Sequence, residues 1–409
     1  MTRTIVDIHI LQTVPPSNLN RDDTGAPKSA VYGGVRRARV SSQAWKRATR
    51  KAFRELLDES ELGVRTKKVA VLLAERIAVL SPSMDEGVAL ELAAETVGTA
   101  TGSKIEAPKR KSKDGDEGAR APESSYLMFL SSRQLDALAA LAVEGGQDGG
   151  LKALKDFLKV KENKARAKQL VSTEHSVDIA LFGRMVADST DLNVDAATQV
   201  AHALSVHPVD VESDYFTAVD DRNTDAEAGA GMIGTVDFNS ATLYRYAAVD
   251  IDRLYENLGP GTSASPAEPT RRAVAAFLEG FISSLPTGKI NTFGNHTLPA
   301  AVIVKIRSRR PISFVGAFEK PVEQGPGGGY LRQSCEQLAA HIAGLEKAYG
   351  VPADEPSWVL RVGHDTAALA GLGTEVALSE LVTAVGDAVA DRLPTAKTAA
   401  TAKASEPQA

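Results

Sequence analysis

The sequence predicts an α+β protein in which a sheet domain is interrupted by a helical insertion. Three observations predict it. Strand-like apolar segments stand on both sides of the insertions, at Ile5–Leu11, Thr242–Val249 and Ala300–Ile306, with helical-period segments among them. Residues 62–100 and 124–170 are Ala- and Leu-rich at three- and four-residue spacing, which marks a block of helices. From Pro208 to Asp237, acids, glycines and isolated hydrophobics follow no sustained period over a length that exceeds an ordinary connection, so this segment is expected to project.

In chain order, Ile5–Leu11 reads as the first strand, and the turn-formers of Pro15–Asp23 read as a loop. Gly33-Gly34 forms a tight turn before Arg39-Val40, and the hydroxyls of Ser41-Ser42 suit the start of a helix that runs to about Leu57. Trp45, Ala48, Thr49, Ala52, Phe53 and Leu56 share one face of that helix and are expected in the core. Lys46, Arg47, Arg50, Lys51 and Arg54 take the other face, and cations beside a helix start suit a phosphate. Ser103–Glu123, almost without apolar residues, is expected to be a disordered loop within the helical block. Val177–Met185 is an apolar block, and Asp195–Leu204 reads as a helix. A helix beginning at Asp250-Ile251-Asp252, an amphipathic helix over Arg271–Ser284 and the buried, alternating strand Ala300–Ile306 follow. The Ala-, Thr-, Lys- and Pro-rich tail after Arg392 is expected to be disordered, and no repeat of solenoid period is present.

Composition narrows the class. With 409 residues, 43% of them apolar, the chain suffices for one large domain or two to three smaller ones. Cys335 is the only cysteine, which excludes a disulfide framework and a Cys-based zinc site and fits a reducing cytoplasm. No apolar run approaches the roughly 20 residues of a membrane span, and the first ten residues do not resemble a signal peptide.

The net charge of −5 conceals an asymmetry. Residues 1–54 hold eleven Lys and Arg against Asp7, Asp22 and Asp23, a net of +8, whereas the remainder carries −13. Between Thr24 and Arg54 there is no acid, and Lys28, Arg36, Arg37, Arg39, Lys46, Arg47, Arg50, Lys51 and Arg54 supply nine positive charges. Gathered on one face, these attract a polyanion; scattered, they are an ordinary solvated surface.

Several chemistries have no support. The seven histidines never fall at the four-residue spacing of a helical zinc pair, and there is no Gly-x-Ser-x-Gly elbow. Pro286-Thr287-Gly288-Lys289-Ile290 lacks the upstream Gly and the magnesium-holding hydroxyl of a nucleotide phosphate loop, and Gly325–Gly329 reads as a flexible turn. No cofactor is implied. Asp22-Asp23 and Asp220-Asp221 are acidic pairs that could hold a divalent ion, or serve only as turn residues. Tyr215-Phe216, on a polar segment, suits either a small local core or insertion between bases.

Four blocks occur together and in order: Asn20-Arg21-Asp22-Asp23, Gly33–Gln43 (GGVRRARVSSQ), Val177–Met185 (VDIALFGRM) and Asp214–Asp221 (DYFTAVDD). Over about residues 4 to 350 the chain thereby resembles the CasC backbone subunit of the type I-E CRISPR Cascade complex. The resemblance implies an RRM-like (ferredoxin-like) palm from 1–57, 176–207 and 238–391, a helical finger domain at 58–175 that contains the loop 103–123, and a projecting thumb at 208–237, with the disordered tail at 392–409. It implies no catalysis, but a scaffold that stacks in about six copies along one CRISPR RNA, together with other Cascade subunits, so that the guide can pair with a target DNA strand. Guide contacts implied in the palm are Asn20, Arg21, Lys28, Arg37, Ser41, Gln43, Lys46, Arg47 and Arg50, with Met185 beside the thumb. Phe216, Thr217, Val219 and Ile233 are the implied thumb residues that displace about one nucleotide in six. A metal-dependent endoribonuclease that cuts target RNA through Asp22-Asp23 is the alternative.

Overall fold

The computed structural model describes residues 3–106, 122–147, 149–186, 190–218, 232–261 and 264–394. They form two compact units. A sheet unit is built from Met1–Phe53, Thr198–Ile251 and Val274–Arg392, and a helical unit chiefly from Arg54–Ala197 and Asp252–Ala273. Most of the loop expected at 103–123, and the tail from 395 on, lie outside the described residues. No described helix is long and apolar enough to cross a membrane.

The sheet unit opens with β1 (Ile5–Ser17), which continues past Leu11 until Pro15 and Pro16, lacking N–H groups, disturb its register between Val14 and Ser17. β2 (Ser29–Tyr32) and β3 (Val35–Val40) form a hairpin around Gly33 and Gly34, both at positive φ, as a two-residue turn requires. Helix α1 (Ser42–Leu56) follows, started by Ser41, whose Oγ accepts from Ala44 N at 3.3 Å. Trp45, Thr49 and Phe53 are buried as the spacing predicts, while Ala48, Ala52 and Leu56 are half-buried.

The helical unit contains β4 (Gly63–Thr66), α2 (Val69–Leu80), α3 (Glu86–Thr101), β5 (Ile105–Glu106), β6 (Glu123–Ser124), β7 (Met128–Ser131), α4 (Ser132–Gly146), α5 (Gly150–Lys159), α6 (Lys161–Leu170) and α7 (Val177–Phe182). Leu73, Ile77, Leu92, Val97, Leu135, Leu138 and Leu154 form its core. Asp85 caps α3 through Gly87 N and Val88 N, and a Ser131/Gln134 capping box starts α4. Residues 176–197, which the sequence reading assigned to the sheet domain, group with this unit. Buried Arg184 accounts for the grouping: its guanidinium donates to the carbonyls of Phe129, Val171 and Leu192.

The sheet unit resumes with β8 (Thr198–Val200) and β9 (Ala203–Ser205), where a helix over Asp195–Leu204 was expected. Tertiary pairing overrides that local pattern: Thr198 and Val200 lie opposite Val249 and Ala247 of a long central strand, and Leu204 lies opposite its Tyr244. The segment that reads as aperiodic contains, among its described residues, a two-stranded ribbon, β10 (Glu212–Ala218) paired with the first part of β11 (Met232–Asp250). α8 (Ile251–Leu258), α9 (Glu268–Ser283), α10 (Ile290–Phe293), β12 (Ala301–Arg307), α11 (Leu331–Tyr349), β13 (Ser357–Arg361), β14 (Thr374–Glu375) and α12 (Leu378–Ala390) complete the chain. β12 is buried on both faces instead of alternating.

The large sheet has the order β14-β13-β12-β1-β11-β9-β3-β2, and its four central strands, β12-β1-β11-β9, are mutually antiparallel. Along the chain they are linked β1–α1–β9–β11–α9–β12, with the helical unit inserted between α1 and β9. Alternation along β11 separates two buried layers. Tyr244 and Tyr246 pack with Phe314, Phe318, Leu338 and Ile342, the last two from α11. Arg245 faces the opposite way, 3.7 Å from the Trp45 ring of α1 and 4.6 Å from Phe281 of α9, and donates to Gln12 Oε1 and the Phe281 carbonyl. Helices therefore cover both faces, which is why Asp7 and His9 of β1 are buried. Asp7 is satisfied by Arg307 and Tyr246 at 2.8 Å, and burial still raises its pKa.

Candidate nucleic-acid interface

The acid-free stretch of sequence becomes one connected piece of the sheet unit. Asn20 joins its parts: its Oδ1 accepts from Ser41 N and its carbonyl accepts from Lys28 N, each at 2.9 Å. Arg21 bridges to Pro27, and Arg39 N donates to the Lys28 carbonyl at 2.9 Å. The first loop is thus fastened to the junction of β3 and α1. This brings Asn20, Arg21, Lys28 and Ser41 together with the helix that carries Gln43, Lys46, Arg47 and Arg50.

Exposure sorts the implied contacts. Arg21, Gln43 and Arg47 are exposed, and Asn20, Lys28, Lys46 and Arg50 are half-buried. Among the described residues, no carboxylate pairs with Arg21, Lys28, Lys46 or Arg47, so none of these neutralises their charges. Partial burial lowers the pKa of Lys46. Ser41 is buried and acts on the backbone of α1 and on Asn20.

Arg37 requires a correction. It is fully buried, donating to the carbonyls of Tyr32, Ser205, Phe318 and Glu319 at 2.9–3.2 Å. Its period along β3 turns it inward while Arg36 remains exposed, so it holds the sheet together and does not join the exposed cations.

Asp22 of the first loop has a turn role. Asp22 Oδ1 accepts from Thr24 Oγ1 at 2.7 Å, Thr24 N at 2.9 Å and Ala26 N at 3.1 Å. The Thr24 hydroxyl is the main cause of its lowered pKa. Asp23 is exposed, and Asp220-Asp221 lie outside the described residues.

In the ribbon, Tyr215 lies opposite Thr235, Phe216 opposite Gly234, and Thr217 opposite Ile233. Tyr215 is 72% exposed and Phe216 45%. Val219 lies outside the described residues. Asn18 connects the ribbon to the first loop: its Nδ2 donates to the Asp237 carbonyl at 2.8 Å and the Gly25 carbonyl at 3.0 Å. Met185 belongs to the helical unit, 90% exposed at a hollow lined by Arg65, Leu127, Phe129 and Phe182.

His202 was also missed. Its Nδ1 accepts from Ser42 N at 3.2 Å, which leaves Nε2 to carry the proton of the neutral ring. Burial, then the charges of Arg39 and Lys28, lower its pKa. Nothing in the local sequence signals this role, because the partners are 160 residues apart.

Comparison with known proteins gives a consistent result. A model of the family described as CT1975-like protein matches residues 6–384. A chain of a solved structure titled "CRISPR RNA-guided surveillance complex, pre-nicking" is 36% identical, with a TM-score of 0.75 over 94% of this chain and 100% of that one. A chain of another, titled "CRISPR RNA-guided surveillance complex", is 33% identical, with a TM-score of 0.65 over 93% and 99%. The search of curated proteins finds no match.

Proposed function

The chain belongs to the CT1975-like protein family, and from that premise we propose that it is a non-catalytic, guide-RNA-binding backbone subunit of a Cascade-like surveillance complex of type I-E. The observation that carries this reading is the cationic surface at Arg21, Lys28, Lys46 and Arg47 on one unit of the fold, with which no carboxylate among the described residues pairs. The surveillance-complex titles of the similar structures support it.

Phosphates are common to every guide sequence, so a protein that must hold any guide relies on Lys, Arg and N–H donors and leaves base edges free to pair with a target DNA strand. The strand order β12-β1-β11-β9, with its βαββαβ connectivity, supports the reading of an RRM-like palm, and the β10–β11 ribbon is the natural thumb. In that role Phe216, Thr217, Val219 and Ile233 displace a base, Met185 contacts the guide, and copies of the chain stack along one RNA with other subunits.

The test is guide-RNA binding by a Lys46→Ala/Arg50→Ala variant at several salt concentrations. Loss of two phosphate contacts predicts weaker binding and a salt slope reduced by about 1.4. Unchanged affinity and slope remove the assignment. Incubating guide-loaded protein with complementary RNA and magnesium tests the nuclease alternative, which gains support only from cleavage that Asp23→Asn abolishes.

A further inference from the structure

We propose that the turn Pro286–Phe293 is a second anchoring point for the guide, with Lys289 as its phosphate contact; the proposal rests on the guide-binding reading above. As a sequence this turn fails as a nucleotide loop, because it lacks the parts that hold a triphosphate and magnesium. One phosphodiester of a single-stranded RNA requires none of those parts. It requires a cation in the right place.

Packing supplies the place. A methyl group at Gly288 would lie 2.4 Å from the carbonyl oxygens of both Asn18 and Leu19, so the turn sits directly on the backbone that leads into Asn20 and Arg21. At its other end the Phe293 ring packs against Phe238, with centroids 5.6 Å apart, and Phe238 lies opposite Glu212 at the foot of the β10–β11 ribbon. The turn therefore touches both the loop that carries the guide cations and the base of the ribbon.

The backbone of Lys289 is a second, independent observation. With φ 49 and ψ 30 it is one of only two described non-glycine residues at positive φ, the other being Glu174. Glycine or asparagine fills such a position with less strain, so folding alone does not account for a lysine. A residue held in an uncommon conformation is a reason to look for a role in binding.

Electrostatics agree. No acid occurs from Gly280 to Phe318, and among the described residues no carboxylate pairs with Lys289, which is half-buried. The turn brings one more cation, from a part of the chain some 240 residues beyond α1, onto the backbone that leads into Asn20 and Arg21.

The experiment measures binding of a fluorescein-labelled single-stranded RNA of mixed sequence to the full chain across a salt series, with thermal unfolding in parallel. Lys289→Gly and Lys289→Asn remove the charge and suit the backbone, so each is expected to keep or raise Tm, weaken binding about threefold to tenfold and lower the salt slope by about 0.7. Lys289→Arg should restore both affinity and slope. Lys46→Ala/Arg50→Ala serves as the reference. If that variant loses affinity while Lys289→Gly and Lys289→Asn match the parent in affinity and slope, the turn is no anchor and the guide-binding reading stands. If none of these variants changes binding, both are overturned.

Discussion

The tip of the Phe216 ring lies over Gly234, its partner on the neighbouring strand, so closely that a methyl group at position 234 would fall 2.4 Å from Phe216 Cζ. The glycine is a seat for the ring, and covering a glycine with a cross-strand aromatic is a known way of steadying an exposed ribbon. Tyr215, one residue earlier, takes the opposite face.

Gly234→Val should therefore lift the ring without removing it. If Phe216 displaces a base, chemical probing of guide RNA bound to this variant will show altered reactivity at the displaced nucleotides. Affinity, set mainly by phosphates, should change less than about threefold. Probing patterns identical to the parent's would separate Phe216 from base displacement.

Arg37 and the exposed cations predict opposite signatures. Arg37→Met leaves four carbonyls without their charged donor and should cost about 3 kcal/mol or more, read as a fall in Tm. The variant that remains folded should keep the parent's salt slope for RNA. A lowered slope with unchanged Tm would return Arg37 to the RNA contacts.

Adjacent glycines of the β2–β3 turn separate strain from collision. At Gly34, φ is +79 in open space, so Gly34→Ala should cost about 1–2 kcal/mol from backbone strain alone. Gly33, at φ +61, would also drive a methyl group to 1.7 Å from the Glu319 carbonyl oxygen. Denaturant unfolding should therefore rank Gly33→Ala well below Gly34→Ala; equal losses would mean that the contact with Glu319 yields easily.

Acid sensitivity should involve His175 of the helical unit. Its Nδ1 lies 3.1 Å from Gln134 Nε2, and burial, aided by the charge of Arg184, lowers its pKa from 6.5 to about 4. Between those values the unfolded chain binds a proton that the folded chain does not. The stability is therefore complete above pH 6.5, declines as pH falls, and is lost by about pH 4. The contribution is about 3 kcal/mol. His9 and His207, also lowered chiefly by burial, act in the same direction. Unfolding midpoints measured from pH 7 to pH 4 should decline less steeply in His175→Gln; superimposable curves would remove this residue from the acid response.

Elements whose signal is local were legible. The three- and four-residue spacing of Trp45, Thr49 and Phe53 marks α1, and the Gly33-Gly34 pair marks its hairpin, because helix faces and tight turns depend on neighbours within a few positions. Asp195–Leu204 reads as a helix although its strand identity comes from β11, and the pairing of β10 with β11 left no local signal because the two strands alternate only against each other.

The sequence by itself determined that nine cations stand in an acid-free stretch, that an α+β chain carries a helical insertion, and that an aromatic pair lies in a polar segment. Tertiary structure alone decided which cations face outward. Arg37 turns inward because its acceptors arrive from Ser205 and Phe318, 168 and 281 residues further along, and Lys289 joins the loop of Asn20 because Gly288 allows two backbones to touch. Charge is written into each residue type, but burial belongs to the surroundings, and those surroundings are assembled from distant parts of the chain.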